Sequence, residues 1–452
     1  MRVENDLGKD SVPKLVTRIA IPSLLAQFVS VLYSIVDRMY VGNIPEVGDI
    51  SLAGVGICGP VVTMVGAFAF LVGIGGTPLM GISLGERNTE RAHKILANCF
   101  LTLAVIAVAL TAIILPLQKP MLYLFGASDV TYPYASRYFT IYISGTFFAL
   151  MATGMNQFII SQGYAKVGMV SVMIGAVLNI VLDPVFIFLL DMGVAGAALA
   201  TIISQAASAA FVLWYLISGR TMVKITFHGY DWKVIKQVIK LGLAPFSILA
   251  FDNVMIITMN AQLQRCGGAG MGDQLITVNT IVQSFMLLVT MPLGGISGGT
   301  QGILSYNYGA CRADRIVQAE RWIAGFCMGY TAIMFVLART AGSAFASLFT
   351  SEAAINAAAV RAIGISTLAV VPLGLQYAIV DGFTGMGQVQ VSLPLSTFRK
   401  AIYFISIFTL PAILNIDQIF YAEPISDVLG ILASIAAFVF GMKKLLRERM
   451  AA

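Results

Sequence analysis

The sequence is poor in charged residues and in the side chains that most enzymes use for catalysis. Only 11% of its 452 residues are Asp, Glu, Lys or Arg, whereas a soluble protein has roughly 25%. It holds two histidines and five cysteines, and it contains neither a GxxxxGK[ST] phosphate-binding loop nor an HExxH metal motif. These absences argue against a soluble enzyme, an ATP-driven pump and a metal-dependent hydrolase.

Long hydrophobic runs occupy most of the chain, and 58% of the residues are hydrophobic. A membrane-spanning helix needs about 20 mostly apolar residues. The sequence therefore predicts an all-α polytopic membrane protein with twelve transmembrane helices. The predicted spans are 14–42, 51–84, 93–115, 134–161, 168–190, 193–218, 237–262, 274–306, 317–341, 355–386, 388–412 and 424–442.

The basic residues predict the orientation of these spans. One set of loops, together with the N-terminal arm and the tail KKLLRERM, carries most of the Lys and Arg, and the opposite loops carry few. Because basic loops stay on the cytoplasmic side, we expect both termini to be cytoplasmic, in a multi-pass protein of the plasma membrane. This asymmetry accounts for the net charge of +6 without any binding of nucleic acid.

The two halves of the chain are related by a shift of 223 or 224 residues. Pro22 matches Pro245, and GGT at 75–77 matches GGT at 298–300. Six helices per repeat give both copies the same orientation, so a pseudo-two-fold axis runs along the membrane normal, and transporters place their sites near such a repeat interface. The predicted division is an N-terminal lobe at 1–218, a linker at 219–236 and a C-terminal lobe with a basic tail at 237–452.

A cluster of polar groups interrupts the fifth predicted span in VLNIVLDPVFIF, residues 177–188. Asn179 and Asp183 are four residues apart, so they project from one face of a helix. Pro184 has no N–H, which frees the carbonyl of Ile180. One turn thus offers a carboxylate, an amide oxygen and a backbone carbonyl, which suit a hard cation such as Na⁺; the carboxylate also suits a proton.

Further polar residues lie at a similar depth in other spans. Counting about 1.5 Å per residue places Asp37 near the level of Asp183, and Thr201 approaches from the outer side. The same count places Asn156 closer to the cytoplasmic side than Asp183. A charge inside a membrane is a functional-site hypothesis by default, although a structural clamp to Arg38 is an alternative.

The second half does not copy this site. Asp252 and Asp381 have no acidic counterparts in the first half, and the basic pair Arg399–Lys400 lies in the eleventh span. We expect a buried ion pair between Asp381 and these cations, with a secondary ion or substrate-cation site at Asp252 and Asp381 as the alternative. Asp252 has no evident partner in the sequence.

Several segments resemble the multidrug and toxic compound extrusion (MATE) family, and the resemblance covers essentially the whole chain. They are IPSLLAQFVSVLYSIVDRMYVGN, GIGGTPLMGISLGERNTERA, NQFIISQG and LNIVLDP, the last two being similar to the bacterial DinF-like branch. The resemblance implies that Pro22 is a point where the first helix bends. It also implies an ion-coupling network, with Na⁺ as one candidate at Asp37, Asn179 and Asp183. The implied network residues are Asp37, Asn156, Asn179, Asp183 and Thr201.

The implied function is efflux of small, bulky and often cationic organic compounds, driven by inward Na⁺ or H⁺ flow. The implied structure is a V-shaped pair of six-helix bundles around a central cavity, expected to act as a monomer in the lipid bilayer without a cofactor. A MATE-related flippase of lipid-linked saccharides is an alternative. Such flippases usually have basic cavities, whereas the intramembrane charges outside the eleventh span are mainly acidic here. An intramembrane enzyme or receptor is a more distant alternative.

Overall fold

A computed structural model describes residues 6–125, 127–350 and 352–451. Within these ranges the chain is helical, with no strand. Some helical residues are described by backbone alone; these are residues 49, 244, 257, 264, 266–273, 416–417, 443, 448, 450 and 451.

The first half of the chain holds nine α-helices and two short π-helical segments. The α-helices are α1 (Val12–Gly42), α2 (Gly48–Gly85), α3 (Thr89–Ile114), α4 (Gln118–Leu124), α5 (Tyr132–Ser144), α6 (Thr146–Leu150), α7 (Asn156–Ser161), α8 (Ala165–Pro184) and α9 (Val194–Ile217). The π-helical segments are Met151–Met155 and Val185–Leu189.

The second half holds seven α-helices and a 3₁₀ segment at Ile416–Tyr421. The α-helices are α10 (Trp232–Gly309), α11 (Ala313–Thr340), α12 (Gly342–Ala346), α13 (Ala353–Ser366), α14 (Val370–Gly385), α15 (Val389–Ile413) and α16 (Ala422–Ala451). Residues 218–231 join the halves without helix, so α10 begins inside the predicted linker.

The helices confirm the predicted all-α membrane architecture. Nine stretches of the described chain are long and apolar enough to cross a membrane, or eleven when each of two bent helix pairs counts as one span. The remaining predicted span is α15, whose 25 residues include the polar pair Arg399–Lys400. With α15, twelve helical stretches of the described chain follow the order of the predicted spans.

The helix α10 contains two of these spans because the chain turns back on itself within it. Asn279 Nδ2 donates to Asn260 Oδ1 over 2.9 Å. In a straight helix, residues 19 positions apart are separated by about 28 Å. The direction therefore reverses between Asn260 and Asn279, as the predicted spans 237–262 and 274–306 require.

Two predicted spans are broken rather than continuous. The chain bends by 59° at Gly145, between α5 and α6, and by 48° between α13 and α14. A Cβ on Gly145 would lie 2.5 Å from Ile202 Cγ1 of α9, so the bend brings the backbone against that helix. Near the second break, Pro372 leaves the carbonyl of Leu368 without its helical partner. The two breaks are separated by the repeat distance, so both copies share this feature.

The two lobes pack together along α2 and α10, where glycines allow backbone contact. A Cβ on Gly242 would lie 1.7 Å from the carbonyl oxygen of Leu71, and one on Gly85 would lie 2.0 Å from that of Tyr306. The described glycine contacts, ring contacts and hydrogen bonds between the lobes fall within about 25 Å of the end that carries both termini. We call this end of the molecule the terminal end.

The N-terminal arm docks onto the second lobe at the terminal end. Leu7 is buried, and its carbonyl oxygen accepts from Asn307 Nδ2 at 3.1 Å and from Arg315 Nη2 at 3.1 Å. Arg449 of α16 donates to Glu86, which follows α2 directly. A backbone group of the N-terminal arm and a side chain of α16 thus join the two lobes here.

Candidate functional site

The polar turn of α8 is buried inside the first lobe. Asp183 has no exposed surface and Asn179 is 2% exposed. Asn179 Nδ2 donates to Asp183 Oδ1 over 3.1 Å and to Thr201 Oγ1 of α9 over 3.5 Å. The structure therefore brings three of the predicted site residues together across two helices.

Asp37 reaches the same place from α1. Its carboxyl group lies within hydrogen-bonding reach of the Asp183 carboxyl group. Two ionised carboxylates can only accept hydrogen bonds, and like charges this close cannot both ionise readily. The contact therefore needs a shared proton or a cation between the two groups.

The backbone around Asp183 is irregular. Pro184 ends α8, and the π-helical segment Val185–Leu189 follows directly. Pro184 cannot donate to Ile180, so that carbonyl is free of the helical ladder as the sequence predicts. Single-turn π-helical segments occur frequently at functional sites.

Several buried oxygens around the two aspartates lack a hydrogen-bond partner among the described residues. Each such group would be costly to leave unsatisfied, whereas carboxylate and amide oxygens are suitable ligands for a hard cation. The donor set therefore fits a small cation. The oxygens are Asp37 Oδ1, Asn179 Oδ1, Asp183 Oδ2 and Gln205 Oε1.

Gln205 and the tyrosines beside the site were not predicted from the sequence. Gln205 lies one helical turn after Thr201 on α9, and its side chain lies beside Tyr142. Tyr142 stacks on Tyr138 with ring centroids 5.9 Å apart. The spacing of Thr201 and Gln205, four residues on one helical face, was the available signal.

Asn156 does not join these residues in the structure. Its Nδ2 donates to the carbonyl of Gly168 over 3.2 Å, and Gly168 lies eleven residues before Asn179 on α8, about 16 Å along the helix axis. In this conformation Asn156 therefore lies near the inner ends of α7 and α8, away from Asn179 and Asp183. Its coupling role stays a prediction.

The surroundings of Asp37 also bear on two other predictions. Arg38 is exposed, and its charge acts on the Asp37 carboxyl group, although the described ion pairs do not include these two residues. The structural clamp to Arg38 therefore stays an alternative prediction. Pro22 is buried within α1, which runs unbroken from Val12 to Gly42. Bending at Pro22 stays a prediction.

The charged residues of the second lobe pair differently from the sequence-based expectation. Lys400 Nζ contacts Asp252 Oδ1, although the sequence offered Asp252 no partner. Arg399 Nη1 instead pairs with Asp427 Oδ1 at 2.8 Å. The expected pair of Asp381 with these cations is wrong, because Asp381 Oδ2 accepts from Ser297 Oγ of α10 at 2.5 Å.

Two repeated lobes, with paired carboxyl groups buried inside the first, define a polytopic membrane transporter rather than an enzyme. A family model described as MatE matches residues 22–185 and 252–409, one stretch in each half of the chain. The chain therefore belongs to the MatE family, the multidrug and toxic compound extrusion transporters named in the sequence analysis.

Similar proteins extend over almost the whole chain. The multidrug export protein MepA of Staphylococcus haemolyticus (strain JCSC1435) is 22% identical over 433 residues, covering 95% of this chain and 94% of MepA. MepA of Staphylococcus aureus (strain N315) is also 22% identical, covering 98% of this chain and 96% of that protein.

A solved structure has the same fold at a similar level of identity. It is described as the outward-facing conformation of a multidrug resistance MATE family transporter of the MOP superfamily. It superposes with a TM-score of 0.89 at 22% identity, covering 98% of both chains.

Proposed function

We propose that this protein exports bulky organic compounds, often cationic ones, by antiport against inward Na⁺ or H⁺ flow. In this proposal the antiported ion binds in the first lobe between Asp37 and Asp183. Binding of the ion removes net negative charge from the lobe and favours one of two arrangements of the lobes. The ion can shift the equilibrium between these arrangements only because its affinity for them differs.

The contact between Asp37 and Asp183 carries this proposal. It joins two helices, α1 and α8, through groups that need a proton or a cation between them. The oxygens of Asn179 and Gln205 that lack partners add further ligands of the same type. No further cofactor enters the proposed mechanism, in which the protein acts as a monomer in the plasma membrane with both termini in the cytoplasm.

The contacts at the terminal end support an alternating-access cycle. The lobes are packed there through Gly85, Gly242 and the N-terminal arm. With cytoplasmic termini, this conformation is closed toward the cytoplasm. Loading of substrate from the cytoplasm then requires these contacts to separate. In the proposal, ion binding at Asp37 and Asp183 shifts the protein between the two arrangements of the lobes.

Translocation of lipid-linked saccharides is less well supported. A phosphate-bearing substrate calls for unpaired cations, yet Arg399 and Lys400 are paired with Asp427 and Asp252. These intramembrane cations of α15 are therefore already neutralised by carboxylates.

Reconstitution of the purified protein in liposomes tests the proposal. Efflux of a fluorescent cationic dye is measured with a Na⁺ gradient and a pH gradient imposed separately. One gradient should drive efflux by the wild type, and Asp183→Asn should abolish the gradient-dependent part. Dye movement that depends on neither gradient would exclude antiport. Movement of a lipid-linked saccharide in place of the dye would favour the flippase.

Asp191→Asn is the matched control. Asp191 is exposed in the turn that follows the same π-helical segment, and its φ of 51° suits asparagine. This variant removes the same charge eight residues farther along the chain without touching the buried site, so it should keep wild-type efflux.

A further inference from the structure

A second pair of acidic residues lies in the second lobe, apart from the site already described. Glu320 of α11 is 3% exposed, and neither of its carboxyl oxygens has a hydrogen-bond partner among the described residues. Asp381 of α14 is its acidic neighbour. Asp381 itself is only partly buried.

The packing of α11 on α14 brings Glu320 directly against the backbone beside Asp381. A Cβ on Gly382 would lie 2.4 Å from Glu320 Oε1. Residue 382 must therefore be glycine for the Glu320 carboxyl group to occupy this position. The side chain of Gln301, itself 3% exposed, lies within hydrogen-bonding reach of the Asp381 carboxyl group.

The described neighbours supply Glu320 with neither a cation nor a donor. Arg399 forms an ion pair with Asp427, and Lys400 forms one with Asp252. The Thr331 hydroxyl, one turn beyond Cys327 on α11, donates to the Cys327 carbonyl over 2.9 Å. An isolated carboxylate buried without a partner is too costly to persist, and it neutralises instead.

Among the described residues, the titratable groups recorded as acting on Glu320 and Asp381 carry no positive charge that would compete with a proton. On α11 the neighbour of Glu320 is Cys327, and on α14 the neighbours are Asp381 and Tyr377. The helix α10 contributes the neutral residues Ser297 and Gln301. Among the described contacts, the other elements packed on α11 bring no charged group to Glu320.

We propose that Glu320 and Asp381 form a second proton-binding site, in which Glu320 holds the proton and Asp381 exchanges it with solvent. The site goes beyond the proposed function, because it lies in the other lobe and shares no residue with the Asp37–Asp183 pair.

Infrared difference spectroscopy of the full-length protein in lipid nanodiscs tests this site independently of transport. At neutral pH, the wild type should show a protonated-carboxyl C=O band that Glu320→Gln removes and that shifts in D₂O. Glu352→Gln, at an exposed position, is the control and should retain the band. Identical wild-type and Glu320→Gln spectra, or a band that does not shift in D₂O, would overturn the proposal.

Two further measurements keep the test decisive. Addition of Na⁺ at fixed pH should leave the band in place, and its loss would overturn the assignment in favour of a metal ion. If Glu320→Gln is not recovered folded, Asp381→Asn takes its place. Changing the neighbour should then shift the Glu320 band, and an unchanged band would contradict the pairing of the two groups.

Discussion

Arg399 Nη1 lies 2.8 Å from Asp427 Oδ1, and this ion pair joins α15 to α16 inside the second lobe. Asp427 is completely buried, and the side chain of Arg399 is 11% exposed. Glu423 lies farther away, with its Oε1 at 3.9 Å from the same guanidinium nitrogen. The two carboxylates therefore neutralise one cation that would otherwise be buried in a hydrophobic lobe.

Removal of one partner of this pair should destabilise the protein. Asp427→Ala leaves the Arg399 charge with only the more distant Glu423, and breaking a buried pair costs about 3–5 kcal/mol. The midpoint of thermal unfolding in detergent should fall accordingly. Arg399→Met combined with Asp427→Leu should recover most of the loss, because a well-packed apolar pair can replace a buried ion pair.

The matched control for this experiment is Glu352→Ala, at an exposed position near the start of α13. It should unfold at the wild-type temperature. Equal unfolding temperatures for Asp427→Ala and the control would show that the Arg399–Asp427 pair does not stabilise the lobe.

The glycine contact between the lobes predicts a conformational effect. Gly242→Ala places a methyl group where the Leu71 carbonyl oxygen lies at 1.7 Å, so the lobes cannot pack in this way. The terminal end should open. Spin labels on the native Cys311, which is exposed, and on Glu90→Cys should then report a longer distance than in the wild type.

Gly56→Ala is the control for that experiment. Gly56 lies in α2, and a Cβ there would meet no atom within 4 Å. This substitution should leave the label distance unchanged. An unchanged distance in Gly242→Ala as well would mean that the close backbone contact is not what holds the terminal end shut.

The contact between Arg449 and Glu86 should make a small, salt-sensitive contribution to the same closure. The hydrogen bond to Glu86 raises the pKa of Arg449 above its ordinary value. A base with a raised pKa loses its contribution only as the pH rises through that raised value, so the contact persists throughout neutral pH. Partly exposed pairs contribute about 0.2–1 kcal/mol.

Glu86→Gln should therefore shift the closed-to-open ratio by at most about five-fold, measured with the same pair of spin labels. High salt should produce a similar shift in the wild type and little further change in the variant, because salt screens exposed charges. A shift that varies with pH between about 6 and 8 would contradict this assignment of the contact.

The spans and much of the first-lobe site were predictable from the sequence, because their signals are local. Apolar runs of membrane length mark the helices, and a four-residue spacing places Asn179 and Asp183 on one face. The approach of Asp37 followed from counting residues along α1. The two broken spans were missed because Gly145 and Pro372 break helices through contacts and lost hydrogen bonds that hydropathy does not register.

Pairings within the second lobe could not be predicted because they depend on how helices rotate about their axes. Asp381, Arg399 and Lys400 lie at compatible depths, yet α14 turns Asp381 toward Ser297 of α10. Glu320 was not identified as an intramembrane group because it lies only a few residues from the basic loop before α11. Burial of its carboxyl group depends on Gly382, whose role becomes visible only when the helices pack.

The most direct test of the central claim compares Asp37→Asn, Asp183→Asn and the double variant in the liposome efflux assay. In the proposed mechanism one ion is shared by both carboxyl groups, so either single substitution should remove gradient-driven efflux as completely as the two together. Residues in direct contact are expected to be non-additive in this way. Substantial gradient-driven efflux by either single variant, lost only in the double variant, would contradict a shared ion.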